Sequence, residues 1–63
     1  MKVNGATYHY EGQTVQEVLA ALAFRMDLIV VEYNGKILSK ADWESTRVSA
    51  ADTMEVVTFV GGG

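Results

Sequence analysis

The sequence predicts an α+β fold of ββαββ order, a mixed sheet packed on one helix, and three observations carry that prediction. Two Asn-Gly dipeptides, Asn4-Gly5 and Asn34-Gly35, each sit between runs of strand-forming residues. A helix-capping signal at Thr14 opens a stretch of helical apolar spacing that lies between them. A β-rich run, Met54 to Val60, then leads directly into Gly61-Gly62-Gly63.

Both central residues of a type I′ hairpin turn need positive φ, which Asn tolerates and Gly adopts freely, so each Asn-Gly pair joins two antiparallel strands. The first joins Met1-Lys2-Val3 to Ala6-Thr7-Tyr8-His9-Tyr10, with Ala6, Tyr8 and Tyr10 on one face and Thr7 and His9 on the other. A helix follows. Thr14 and, three residues on, Glu17 form a capping box in which each side chain satisfies a backbone N–H of the first turn. Val15, Val18, Leu19, Leu22 and Ala23 recur at helical spacing as one apolar stripe, Gln16 and Glu17 face away, and Arg25 lies near the negative end of the helix dipole. No Gly or Pro marks the end, which the pattern places between Phe24 and Asp27. The second hairpin joins Leu28–Tyr33 to Lys36–Leu38. From Ser39 to Asp52 neither period persists, so a structured loop is expected, with one helical turn over Ala41–Glu44. The last strand, Thr53 to Val60, places Met54, Val56, Thr58 and Val60 on one face and Glu55, Val57 and Phe59 on the other. Apolar residues on both faces predict a central strand, paired on both edges and partly covered on its second face. The last strand then pairs with the first in parallel, and the simplest such solution is the β-grasp. One domain over residues 1–60 and a flexible glycine tail at 61–63 result.

Composition excludes several functions. A chain of 63 residues forms a single domain, and one of about 60 residues buries only roughly 60% of the surface its unfolded chain exposes. With no Cys, one His and no metal-ligand spacing, the staples usual at this size are absent and stability must come from regular pairing. The net charge of −3 and five scattered basic residues give no nucleic-acid footprint. No apolar stretch approaches the roughly 20 residues of a membrane span, so a soluble, cytoplasmic protein is expected. His9 has no Ser, Cys or carboxylate partner at a recognisable spacing, so it reads as a strand residue and no catalytic residue is assigned.

The tail is the candidate working part. Three consecutive glycines closing a chain arise by chance about three times in ten thousand at roughly 7% glycine usage. A C-terminal carboxylate on Gly63 is ionised at neutral pH and can attack an activated phosphate. Three extended residues reach at most about 10 Å, and without Cβ atoms Gly61 and Gly62 can thread a narrow channel in a partner. Val57, Phe59 and Trp43 are the candidates for partner docking. Val57 and Phe59 make an apolar patch leading into the tail if their face is open, the alternative being a face closed by the loop around Trp43; Trp43 itself either anchors that loop against the core or meets a partner. Asp42, Glu44, Asp52 and Glu55 read as solvated surface, the alternative being that they pair with basic residues of a partner.

Val3-Asn4-Gly5, Glu11-Gly12-Gln13-Thr14-Val15 leading into Glu17-Val18-Leu19, Val31-Glu32-Tyr33-Asn34-Gly35, Trp43, Asp52 and Phe59-Val60-Gly61-Gly62-Gly63 together resemble the small ubiquitin-like sulfur carriers, most closely those of thiamin (thiazole) biosynthesis. The resemblance spans the whole chain. It departs at Ser39-Lys40, where members often have Pro-Arg, and at Ala51-Asp52, where an Asp-Gly turn is common. It implies that a partner adenylyltransferase resembling ubiquitin-activating enzymes uses ATP to adenylate the Gly63 carboxylate, that a sulfur-donating enzyme supplies the atom for a thiocarboxylate, and that a thiazole synthase receives it. The chain itself binds no cofactor in this reading. A carrier for molybdopterin or another product, and a protein-conjugating modifier, share the activation chemistry. A noncovalent β-grasp interaction module makes no use of the tail, and a small enzyme is opposed by the lack of a catalytic constellation.

Overall fold

The structure, a computed structural model, describes residues 1–59. Strands β1 (Lys2–Val3), β2 (Ala6–Thr7), β3 (Ile29–Tyr33), β4 (Lys36–Leu38) and β5 (Thr53–Thr58) accompany helix α1 (Val15–Ala21) and a 3₁₀ turn at Lys40–Asp42. The strands form one sheet in the order β2-β1-β5-β3-β4. The last strand therefore occupies the centre, parallel to β1 with Val3 beside Met54 and antiparallel to β3 with Val31 beside Val56. This is the β-grasp arrangement expected from the sequence.

Both Asn-Gly turns form as their chemistry requires: Asn4 and Asn34 hold φ of 50° and 51°, and Gly5 and Gly35 follow at 83° and 84°. The capping box at Thr14 also forms, with the Glu17 N–H donating to Thr14 Oγ1 at 3.1 Å and the Thr14 N–H donating to Glu17 Oε1 at 2.8 Å. The loop completes what the box leaves open. The Val15 and Gln16 amides donate to the carbonyls of Thr46 and Trp43 at 2.8 and 3.1 Å, so the first turn has no unpaired amide there. Val15, Val18 and Leu19, all fully buried, press the helix onto Val3, Val31, Met54 and Val56 of the inner sheet face, and Met1, Ile29, Trp43 and Val48 close the rim of this core.

Several boundaries differ from the sequence prediction. The helix ends at Ala21, a few residues before the expected stop, through a Schellman closure: Phe24 N–H donates to Leu19 C=O and Ala23 N–H to Ala20 C=O, both at 3.0 Å, with Ala23 at φ 61°. Ala23 is exposed and leaves the apolar stripe. Arg25, past the helix end, forms a forked ion pair with Asp27 at 3.0 and 3.2 Å instead of serving the dipole. Strand β2 spans only Ala6–Thr7, shorter than the expected run to Tyr10, although Tyr8 still exchanges backbone hydrogen bonds with Met1 at 2.9 and 3.0 Å. Tyr8 and Tyr10 still share a face and stack at 5.7 Å. The loop's helical turn falls at Lys40–Asp42, just ahead of the expected position. Strand β5 closes at Thr58; Val60 and the tail residues Gly61, Gly62 and Gly63 lie outside the described residues.

Candidate functional site

The segment that leads into the tail is held on both sides. Strand β1 ends at Val3, yet its pairing with β5 continues through a side chain: the Val56 N–H donates to Asn4 Oδ1 at 2.7 Å and Asn4 Nδ2 donates to the Val56 carbonyl at 3.2 Å. A carboxamide thus supplies the donor and acceptor of a strand residue that β1 lacks. On the other edge, β3 pairs as far as Ile29 beside Thr58, and the Phe59 N–H donates to the Leu28 carbonyl at 2.7 Å.

The start of β5 is tied by a second carboxamide. Asn34 donates its backbone N–H to the Thr53 carbonyl at 2.8 Å and accepts the Thr53 N–H on Oδ1 at 2.9 Å, while its Nδ2 donates to Asp52 Oδ1 at 3.1 Å. Asp52 Oδ2 receives the Tyr33 hydroxyl and, at 2.7 Å, the Ser49 N–H. Asp52 is therefore half-buried and fully engaged, not the solvated carboxylate expected from the sequence. Desolvation pushes its carboxyl upward, but the hydrogen bonds from Tyr33, Asn34 and Ser49 outweigh this and hold it below the ordinary range. Desolvation first, then the bond to Asp52 and its charge, push the Tyr33 hydroxyl well above the usual tyrosine range.

The outer face of the sheet, away from the helix, is open among the described residues, which corrects the expectation that β5 is partly covered there. The strand registers set its rows: Ile37, Glu32 and Glu55 lie side by side across β4, β3 and β5, and Val30 beside Val57 forms the next row. Phe59 continues along β5. Ile37, Val57 and Phe59 are 74%, 56% and 52% exposed. Val57 and Phe59 thus form one apolar surface at the approach to the tail, joined by Ile37, which sequence reading missed because β4 is too short to show which way its middle residue points.

Of the two readings of Trp43, the loop anchor holds and the partner contact is corrected. Trp43 is 2% exposed, buried on the helix side of the sheet, and its indole N–H donates to the Leu38 carbonyl at 3.1 Å, so it anchors the loop and has no surface to offer a partner. His9 is exposed and stands 3.8 Å from Glu11 Oε1. Among the described residues no cluster of His, Cys, Asp or Glu is placed to hold a metal ion, and no helix is long and apolar enough to cross a membrane. An open groove of about 390 Å³ beside α1 is lined by Thr14, Gln16, Glu17, Ala20, Met26 and Glu44, with no basic residue among them.

The family model described as the ThiS family matches residues 1–63. The chain is 29% identical over 65 residues to the sulfur carrier protein ThiS of Bacillus subtilis (strain 168), covering 100% of this chain and 98% of that one. It is 32% identical over 62 residues to a thiazole synthase of Magnetococcus marinus, covering 97% of this chain and 19% of that protein. The crystal structure of thiamine biosynthesis protein ThiS from Geobacter metallireducens superposes with a TM-score of 0.80 at 33% identity, covering 98% of this chain and 96% of that one.

Proposed function

This chain belongs to the ThiS family, the sulfur carriers of thiamine biosynthesis, and we propose that its working group is the carboxylate of Gly63. A partner adenylyltransferase joins that carboxylate to the AMP portion of ATP and releases pyrophosphate. Sulfide delivered by a sulfur-donating enzyme then attacks the acyl carbon and expels AMP, and the resulting Gly63 thiocarboxylate delivers its sulfur to a thiazole synthase in the cytoplasm. The chain is the loaded substrate in each step; the chemistry belongs to its partners. The similarity of nearly the whole chain to one segment of a Magnetococcus marinus thiazole synthase supports that enzyme as the acceptor.

One observation carries the reading on the structural side. The strand that leads to the tail is the central one, and exposed Val57 on it and Phe59 just past it present an apolar surface two residues before Gly61 in sequence. An enzyme that covers this surface desolvates it and sets where the slim tail enters. Gly61 and Gly62 supply clearance, since a Cβ at either narrows the passage available to the backbone.

Intact-mass measurement after incubation with the cognate adenylyltransferase, ATP and a sulfur donor tests the proposal. The wild-type chain gains the mass difference between sulfur and oxygen. Gly62→Leu keeps the wild-type melting profile and its loading rate falls by at least an order of magnitude. Normal charging of Gly62→Leu overturns the role given to the tail.

A further inference from the structure

The exposed sheet face contains an arrangement that opposes the stability of the free protein. Glu32 and Glu55 are direct cross-strand partners on β3 and β5, on the face opposite the buried Val31 and Val56. Side chains so placed have Cβ atoms about 4.5–5.5 Å apart, and like charges there repel. Neither carboxylate forms an ion pair or a side-chain hydrogen bond among the described residues. Ile37 flanks the pair on one side, and Val30, Val57 and Phe59 continue from it toward the tail. Two adjacent carboxylates beside an apolar band complement one kind of surface: an apolar contact bearing a cation that reaches both acids. A guanidinium does this with its planar fork, and excluding water around the contact strengthens the attraction.

Building on the carrier reading above, we propose that this face seats the thiazole synthase and that a basic side chain of that enzyme, an arginine by geometry, lies between Glu32 and Glu55. The apolar band serves any partner that receives the tail; the acidic pair selects the sulfur acceptor. The choice of this partner rests on the Magnetococcus marinus protein, in which a segment similar to nearly all of this chain is continuous with a thiazole synthase. In such a chain the two modules meet at high effective concentration.

The double variant Glu32→Gln/Glu55→Gln separates this proposal from its rivals, because it keeps the shape of the face and removes both charges. Its melting temperature is expected at or above that of the wild type, since the repulsion is gone. Its dissociation constant for the cognate thiazole synthase is expected to rise by about thirtyfold, and the salt dependence of binding to flatten. Loading by the adenylyltransferase, read by intact mass, is expected to stay within a few-fold of wild type. Unchanged affinity for the synthase overturns the proposal, as does an equal loss of binding to both enzymes, which makes the pair a general contact. Failure of the wild-type chain to be loaded overturns the carrier reading instead, while the affinity comparison still decides who occupies the face.

Discussion

Ala23 sits in the left-handed region at φ 61°, where the Schellman closure of α1 ordinarily uses glycine. A side chain there costs on the order of 1–2 kcal/mol in steric strain, and glycine returns part of that gain through its freer unfolded chain. Ala23→Gly is therefore expected to stabilise the protein by about 0.5–1 kcal/mol, seen as a higher urea midpoint with unchanged slope. The same residue explains why the helix end was illegible in the sequence. The usual stop signal is absent, and alanine, the strongest helix former, suggests continuation. The start of the helix was legible because Thr14 and Glu17 supply a local, reciprocal signal that needs no tertiary partner.

At the scale of elements, β5 is held by the two turns as much as by the strands. Asn4 and Asn34 were legible as turn formers through their tolerance of positive φ. Their second role, pairing with the β5 backbone, was not, because the partner of Asn4 lies 52 residues away in sequence. Asn4→Gly isolates that role: glycine keeps the turn conformation but leaves the Val56 N–H and C=O without the carboxamide. The expected cost is about 1–2 kcal/mol, measured by chemical denaturation, with faster hydrogen exchange at the Val56 amide. Asn4→Asp retains the acceptor for that N–H and is expected to fall between glycine and the wild type. The docking candidates divide along the same line. The alternation of Met54 to Phe59 showed that Val57 and Phe59 share a face, whereas Trp43 lies in a loop with no period, so spacing left both the loop anchor and the partner contact open and tertiary contacts decide for the anchor.

For the whole molecule, the network around Asp52 joins the end of β3, the long loop and the start of β5, and it links stability to pH at both extremes. The Asp52 carboxyl is held below its ordinary range, so its contribution is complete above the unfolded-state value and is lost as pH falls through the folded-state value. The Tyr33 hydroxyl is held above its ordinary range, so its contribution is complete below the unfolded-state value and is lost only as strongly alkaline pH is reached. Asp52→Asn is expected to cost about 1–3 kcal/mol at neutral pH and to make the acid limb of a stability-versus-pH profile shallower, as followed by thermal melts across pH. A steeper acid limb in the variant contradicts this assignment.

The central position of β5 also has a mechanical consequence. Its hydrogen bonds run across the strand, perpendicular to its axis toward antiparallel β3 and slanted toward parallel β1. A pull on the end beyond Phe59, directed along the strand, loads the bonds of both flanking ladders together in shear, whereas an edge strand lifted sideways surrenders its bonds one by one like a zip. An enzyme can draw on this terminus as on a rope moored along its length, and the body it is moored to stays assembled.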